Sequence, residues 1–190
     1  MNLKEFLFKS RGYTPIPFFL LAIIFADPHE DLFIFGLILV IFGELIRIWG
    51  VAYAGCATRT RTVKEAPVLV TNGPYAFMRN PLYFGNMFIY SGFIIAAGAL
   101  LPYLLYIAIL FFSIQYSLIV SLEEKNLAEI FGEKYLHYKS MVPRFYLRLS
   151  PYPERTQIEA DYLKALRSER TTFLNMALLL VLLIIRWYYF

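Results

Sequence analysis

Long apolar runs alternate with polar segments along most of this chain. Five runs are predicted to form membrane-spanning helices: residues 13–26, 32–54, 82–99, 102–120 and 173–190. A helix needs roughly 20 apolar residues to cross the hydrocarbon core of a bilayer, and the run 32–54 meets that length most clearly. Only "LLPY" separates the third run from the fourth, which predicts a tight antiparallel helical hairpin. The pattern therefore predicts an all-α integral membrane protein with about five spans.

The polar segments differ in length and in character. Residues 57–81 form a long connection, and connections of this length inside a compact domain usually serve a function. Residues 121–140 continue the fourth run as an amphipathic helix. Residues 155–170 place apolar side chains at helical spacing among charges, which predicts an amphipathic helix on the membrane surface.

Basic residues gather on one side of this predicted topology. They precede the first span, and they recur between spans two and three and between spans four and five. The opposite turns, "DPHED" and "LLPY", contain no lysine or arginine. Because cytoplasmic loops of membrane proteins carry an excess of positive charge, we expect the N-terminus and both long polar segments in the cytoplasm.

Composition narrows the possible function classes. The chain is 59% hydrophobic and 17% charged, which is unusual for a soluble domain of 190 residues. One cysteine and two histidines leave no disulfide framework within the chain and argue against a metal site. The net charge of +4 is interpreted as the positive-inside bias and not as affinity for nucleic acid. We predict one membrane-embedded domain, residues 1–190, with no metal and with the bilayer as its environment.

Two adjacent glutamates stand out where the fourth span leaves the membrane. At about 100° per residue, Glu123 falls within an apolar stripe of the helix 121–134, and Glu124 lies just beyond its edge. A carboxylate on an apolar face is costly unless it is paired. The plain interpretation is an interfacial helix whose carboxylates reach water or a loop arginine. The functional interpretation is a site for a cationic or hydrogen-bonding ligand.

Possible partners for these carboxylates occur in both polar segments. Arg79 and Arg144 are candidate counter-charges, because arginine can hold a carboxylate through two hydrogen bonds. Tyrosine rings that can stack on a base or cover a cation occur at Tyr75, Tyr83, Tyr135 and Tyr138. Carboxylates, arginines and aromatic faces together suit a zwitterionic nucleoside ligand at the membrane surface.

The motif "VLVTNGPYAFMRNPLYFGN", followed about 40 residues later by "EEKNLAEIFGEKYLHYKSMVPRF", resembles the isoprenylcysteine carboxyl methyltransferase and phospholipid methyltransferase superfamily. The similarity covers about residues 60–146, and the segment 155–190 looks like the bacterial branch. The resemblance implies an S-adenosylmethionine-dependent methyltransferase in the bacterial inner membrane. It would have a cytoplasmic cofactor pocket and would act on a lipid or another lipophilic acceptor through an amine, carboxylate or thiol.

The resemblance also implies roles for individual residues. The expected cofactor contacts are Pro67, Val68, Leu69, Val70, Tyr75, Asn80, Pro81, Leu82, Tyr83, Glu123 and Glu124. The expected catalytic residues are Arg79, Asn80, Tyr83 and Glu123. The expected substrate-binding residues are Arg47, Tyr138 and Arg144.

Two positions depart from the family pattern. The usual histidine of the Arg-His-Pro motif is Asn80 here, which can form hydrogen bonds but cannot act as a titrating base. The prenylcysteine enzymes carry a substrate-binding arginine four residues before the first glutamate, where this chain has Ile119. A bacterial lipid or small lipophilic molecule is therefore a better acceptor than a prenylated protein.

Two other function classes remain open on sequence alone. An NADPH-dependent membrane reductase is one of them, since sterol reductases share a similar C-terminal half. That class would need a larger bundle and a site for the extra phosphate of its donor. A transporter or scaffold would be favoured by polar residues along a path across the bilayer. Only Glu44 and Arg47, within the second span, suggest such a path, and they could equally form a helix-packing pair or close a substrate pocket.

Overall fold

The fold comes from a computed structural model, which describes residues 3–55 and 68–189. The described residues form seven α-helices and one short 3-10 helix, and no strand occurs among them. The helices are α1 (Leu3–Ser10), α2 (Ile16–Ile24), α3 (Glu30–Ala54), α4 (Pro81–Ala97), α5 (Tyr103–Phe131), α6 (Glu133–Met141) and α7 (Tyr162–Tyr189), and the 3-10 helix is Gly73–Ala76. The all-α membrane fold expected from the sequence is confirmed.

Three helices of the described part, α3, α5 and α7, are long and apolar enough to cross a membrane. Helix α4 is shorter, with 17 residues, and it forms the expected hairpin with α5 through the turn 98–102. The run 13–26 contains only the nine residues of α2, or about 14 Å of helix, with Pro15 at its N-cap and Pro17 in its first turn. Helix α2 is thus too short to cross a bilayer alone, and it packs against α4.

The predicted surface helix at 155–170 is wrong in its boundaries. Residues 155–161 are not helical, and residues 162–170 are the first turns of the continuous helix α7. The segment 155–161 is instead bonded to other parts of the fold: Asn72 Nδ2 donates to the carbonyl of Ile158 at 2.7 Å, and the Asp161 amide donates to the carbonyl of Ala52 in α3 at 2.9 Å. These hydrogen bonds satisfy backbone groups that have no helical partners.

Helices α3 and α4 approach each other through glycines. A Cβ added at Gly36 would lie 2.4 Å from the carbonyl oxygen of Gly92, and one added at Gly43 would lie 2.5 Å from that of Gly85. Gly36 and Gly43 are seven residues apart in α3, and Gly85 and Gly92 are seven residues apart in α4. The two contacts therefore repeat along one face of each helix. Small residues that admit close backbone contact are typical of helix pairs in membranes.

The two ends of the bundle have different chemistry. At one end the turns 25–29 and 98–102 meet, where the Asp27 amide donates to the carbonyl of Ala97 at 2.9 Å. At the other end α4 begins, and the Arg79 amide donates to the carbonyl of Pro143 at 2.9 Å. The polar segments singled out by the sequence, 68–80 and 121–145, therefore meet at this second end.

Candidate functional site

A cluster of three basic side chains surrounds Glu124 at the polar end of the bundle. The Nε and Nη2 atoms of Arg79 donate to Glu124 Oε1 at 3.0 and 2.8 Å. Arg144 Nε donates to the same oxygen at 3.1 Å, and its Nη2 donates to Oε2. Lys139 Nζ lies 3.5 Å from Oε2. The Glu124 side chain is only 4% exposed, so its charge is balanced by these partners more than by water.

Backbone hydrogen bonds hold this Glu124 cluster in place. Arg79 Nη1 also donates to the carbonyls of Lys139, at 2.9 Å, and of Val142, so one guanidinium joins three parts of the chain. Asn80 Nδ2 donates to the carbonyl of Arg144 at 3.1 Å. Hydrogen bonding to Glu124 raises the pKa of Arg144, so its positive charge is secured at every physiological pH. The cluster thus locks the start of α4 to the segment after α6.

Tyr138 holds the loop before α4 through a hydrogen bond to the backbone of that loop. Its hydroxyl donates to the carbonyl of Tyr75 at 2.7 Å, and burial raises its pKa, so it stays a neutral donor. Its ring belongs to an apolar cluster that includes Leu69, Tyr135 and Val142. The expected substrate residue Tyr138 is therefore buried, at 3% exposure, and its hydroxyl is engaged by the backbone.

The second glutamate has different surroundings. Tyr83 donates its hydroxyl hydrogen to Glu123 Oε1 at 2.9 Å, and Arg11 Nη1 lies 3.5 Å from the same oxygen. The Glu123 side chain is 26% exposed. Glu123 therefore accepts one hydrogen bond, has one longer ionic contact and exposes about a quarter of its side chain.

The assignment of the buried face of α5 was wrong by one residue. The buried stripe of α5 runs through Leu104, Ala108, Phe112, Gln115, Ile119 and Glu124. Glu124, not Glu123, continues that stripe. Helix α5 is continuous for 29 residues, so its apolar part sets the rotation of its polar end.

Tyr75 lies within the electrostatic reach of two charged residues. Burial raises the pKa of Tyr75, nearby Glu123 raises it further, and Arg47 lowers it. The pKa of the neutral phenol is thus shifted both by the Glu123 carboxylate of α5 and by the Arg47 guanidinium of α3. Tyr75, Tyr83 and Glu123 form the part of the site with an accessible carboxylate and aromatic faces.

A cavity of about 160 Å³ opens beside Tyr83, between α4 and α5. Its lining is largely apolar, and four of the seven lining residues carry a hydroxyl. The lining residues are Tyr83, Phe84, Met87, Ser113, Tyr116, Ser117 and Phe145. The Tyr83 and Tyr116 rings lie 4.6 Å apart between their centroids. The cavity therefore connects the accessible carboxylate, through Tyr83, with the apolar interior of the helical hairpin.

Arg47 forms a separate buried network. Its Nε donates to Glu44 Oε2 at 3.1 Å, its Nη2 to Glu169 Oε2 at 2.7 Å, and its Nη1 to Asn86 Oδ1. Glu44 and Glu169 are 5% and 1% exposed. The network joins α3, α4 and α7, so the packing interpretation of Glu44 and Arg47 has direct geometric support, while substrate binding by Arg47 stays a prediction.

The expected site residues thus fall into separate groups. Arg79, Asn80, Glu124 and Arg144 come together, Tyr83 meets Glu123, and Arg47 lies in its own network. Leu69 is buried while Val68 is 52% exposed, and Pro67 lies outside the described residues. Pro81 and Leu82 begin α4.

Sequence reasoning missed four members of these groups: Arg11, Asn86, Lys139 and Glu169. Arg11 is one of the basic residues before the first span that indicated only topology, although it contacts a residue 112 positions away. Asn86 carried one usable signal, since it is a polar residue inside an apolar run.

Comparison with known protein families is decisive for identity. Residues 32–134, more than half of the 190-residue chain, match the family model of phospholipid methyltransferases. The chain belongs to this family. The match confirms the resemblance drawn from the motifs and favours a membrane methyltransferase over the reductase and transporter alternatives. The family region includes α3, α4, α5 and both glutamates, whereas Arg11, Arg144 and Glu169 lie outside it.

A characterised relative adds a more distant comparison. Cobalt-zinc-cadmium resistance protein CzcN from Cupriavidus metallidurans is 28% identical over 146 residues, which cover 72% of this chain and 62% of that protein. The phospholipid methyltransferase family member described here therefore spans less than two thirds of that relative's length. No solved structure matches the chain. Among the described residues, no group of three or more histidine, cysteine, aspartate or glutamate side chains could hold a metal ion.

Proposed function

We propose that the protein transfers a methyl group from S-adenosylmethionine to a lipophilic acceptor in the membrane, at the cytoplasmic face of a bacterial inner membrane. The observation that carries the proposal is the family match across α3, α4 and α5, whose polar end holds Glu123 and Tyr83. The excess of lysine and arginine in the segments at this end supports its cytoplasmic orientation.

The residues at this end fit a cationic, zwitterionic cofactor only in part. Glu124 is occupied by three basic side chains, so it suits a structural role better than cofactor binding. Glu123 suits the cofactor, because it is accessible and a nearby tyrosine hydroxyl orients it. The Tyr75 and Tyr83 rings offer aromatic faces for a cation or a planar group.

When bound, S-adenosylmethionine would supply a methyl group activated by a positively charged sulfur. Glu123 would stabilise that positive charge, and Tyr83 would fix the position of the carboxylate through its hydrogen bond. The transfer needs the acceptor in line with the methyl group and water excluded. The apolar walls of the cavity between α4 and α5 would keep water away from the reacting groups.

Proton transfer depends on the acceptor atom. A carboxylate or thiolate acceptor needs no base. An ammonium acceptor must first lose a proton, and Glu123 is then the candidate base, since Glu124 is paired. Asn80 cannot titrate, and its amide already donates to the carbonyl of Arg144. We therefore assign Arg79 and Asn80 to holding the site together and Glu123 and Tyr83 to the reaction.

The acceptor would approach from the bilayer. Its polar group would lie near Tyr83, and its apolar part would lie in the cavity lined by Phe84, Met87 and Phe145. At about 160 Å³ this cavity is smaller than a typical site for a drug-sized ligand, so it suits part of a lipid and not a whole cofactor.

Binding of S-adenosylmethionine to the purified protein in detergent tests the proposal, with calorimetry as the readout. We expect saturable binding by the parent and a loss of about tenfold or more for Glu123→Gln, because a charge-assisted contact to the cofactor disappears. Glu129→Gln is the matched control on the same helix, since Glu129 is exposed and forms a long ion pair with Lys125 at 3.8 Å. No saturable binding by the parent would refute the proposed function.

If binding holds, the acceptor can be identified directly. Incubation with methyl-labelled cofactor and a membrane lipid extract should transfer label to a lipid fraction, and mass spectrometry of that fraction would give the acceptor atom. Label that appears only in water-soluble products would contradict a lipophilic acceptor.

A further inference from the structure

The N-terminal segment brings a positive charge to Glu123 from outside the family-matched region. Arg11 follows α1 directly, and its Nη1 lies 3.5 Å from Glu123 Oε1. The Tyr83 hydroxyl donates to the same carboxylate oxygen at 2.9 Å. Arg11, Tyr83 and Glu123 therefore form a three-membered group.

Two further contacts hold Arg11 in this place. On its N-terminal side, Phe8 is 5% exposed in the main apolar core, and the guanidinium carbon of Arg11 lies 4.0 Å from the centroid of its ring. On its C-terminal side, Thr14 Oγ1 lies 3.0 Å from Nε2 and 3.1 Å from Oε1 of the buried Gln115 on α5. The segment is thus attached to the protein before and after Arg11.

The ionic contact itself is weak enough to be exchanged. The Arg11 and Glu123 side chains are 24% and 26% exposed, and the distance of 3.5 Å between Arg11 Nη1 and Glu123 Oε1 is longer than the about 2.7–2.9 Å of a strong arginine–carboxylate bond. At Glu124, by contrast, two arginines donate four hydrogen bonds. Glu123 can therefore change its cationic partner while Glu124 keeps its own.

We propose that Arg11 is a built-in counter-ion that a sulfonium or ammonium group must displace from Glu123, so that Arg11 sets which cationic ligands this carboxylate accepts. The inference depends on the proposed function only for the choice of Glu123 as the cation-binding residue. After displacement, Arg11 remains close to the site on its anchored segment. A neutral ligand has no charge to attract the Glu123 carboxylate, so it cannot offset the loss of the ionic contact with Arg11.

The test measures competition at Glu123 without the cofactor. The full chain in detergent is treated with a water-soluble carbodiimide and glycinamide, and labelling of Glu123 is followed by peptide mass spectrometry. Trimethylsulfonium, a minimal sulfonium cation, is the protecting probe. We expect half-protection at about twofold to fivefold lower concentration in Arg11→Gln than in the parent, which corresponds to about 0.4–1 kcal/mol at 1.4 kcal/mol per tenfold.

Three comparisons keep the result specific. Arg11→Lys retains the charge and should stay close to the parent. Thr14→Val loosens the attachment to Gln115 without removing Arg11, and it should shift half-protection in the same direction as Arg11→Gln but by less. Labelling of the exposed Glu129 should be the same in all variants.

Several results would overturn the inference. Equal half-protection in the parent and Arg11→Gln, a higher concentration in Arg11→Gln, or no protection of Glu123 in either protein would each do so. Failure of S-adenosylmethionine to bind would instead refute the proposed function, and the trimethylsulfonium result would stand independently of it.

Discussion

Glu123 and Glu124 are neighbours in sequence, yet they have different surroundings. Successive residues of a helix point about 100° apart, so the two carboxylates face different parts of the bundle. Glu124 is 4% exposed and bound by Arg79, Arg144 and Lys139. Glu123 is 26% exposed and bound by Tyr83 and more distantly by Arg11. The comparison separates a carboxylate that holds the fold together from one that is available to a ligand.

The largest expected effect is on stability, in Glu124→Gln. Removing the charge leaves two partly buried arginines without their anion, and breaking a buried ion pair typically costs roughly 3–5 kcal/mol. For a chain of this size that corresponds to a fall of about 10 °C in the midpoint of thermal unfolding. Tryptophan fluorescence during heating in detergent would measure it.

Glu129→Gln is the control for that measurement. Glu129 lies on the same helix, and its ion pair with Lys125 is 63–73% exposed, so its loss should change the free energy of unfolding by less than about 1 kcal/mol. Equal midpoints for the two variants would contradict the structural role of Glu124.

A second prediction ranks the three cations around Glu124. Arg79 is 10% exposed and binds two backbone carbonyls besides the carboxylate, whereas Arg144 and Lys139 are 34% and 42% exposed. We expect Arg79→Gln to lower the unfolding free energy most, by about 3 kcal/mol, and Lys139→Gln least, by less than about 1 kcal/mol. Arg144→Gln should fall between them.

The same thermal unfolding assay checks this order. A Lys139→Gln variant as unstable as Arg79→Gln would show that burial and backbone bonding do not govern the cluster. An Arg79→Gln variant with the same unfolding midpoint as the parent would show that the start of α4 is held by other contacts.

The contrast between the glutamates marks what the sequence could predict. The pairing of Arg79 and Arg144 with a carboxylate at the end of α5 followed from residue types and spacing. The choice between Glu123 and Glu124 did not, because it depends on the rotation of a helix fixed by core contacts such as Ile119 and Phe112, up to a dozen residues away. A wheel drawn on residues 121–134 alone could not include those contacts.

Long-range partners were also beyond sequence reasoning. Arg11 reaches Glu123 across 112 residues, and Glu169 reaches Arg47 across 122. Neither pairing leaves a local pattern: Arg47 and Glu123 are conspicuous in the sequence, but their partners Glu169 and Arg11 lie in polar stretches where a charge is ordinary. The glycines of α3 and α4 were more informative, because close helix approach in a membrane requires small residues at one face.

The smallest expected effect concerns the accessible carboxylate. Glu123→Gln keeps an oxygen that can accept the hydrogen bond from Tyr83, and Arg11 is exposed enough to be hydrated, so the unfolding free energy should fall by about 1 kcal/mol or less. Tyr83→Phe removes the donor. A double-mutant cycle of the two changes should give a coupling energy of about 0.5–1.5 kcal/mol, because Glu123→Gln weakens a hydrogen bond to a charged group into one to a neutral group and does not remove it. A cost for Glu123→Gln equal to that of Glu124→Gln would mean that both carboxylates serve the fold, and the site would then lack its available anion.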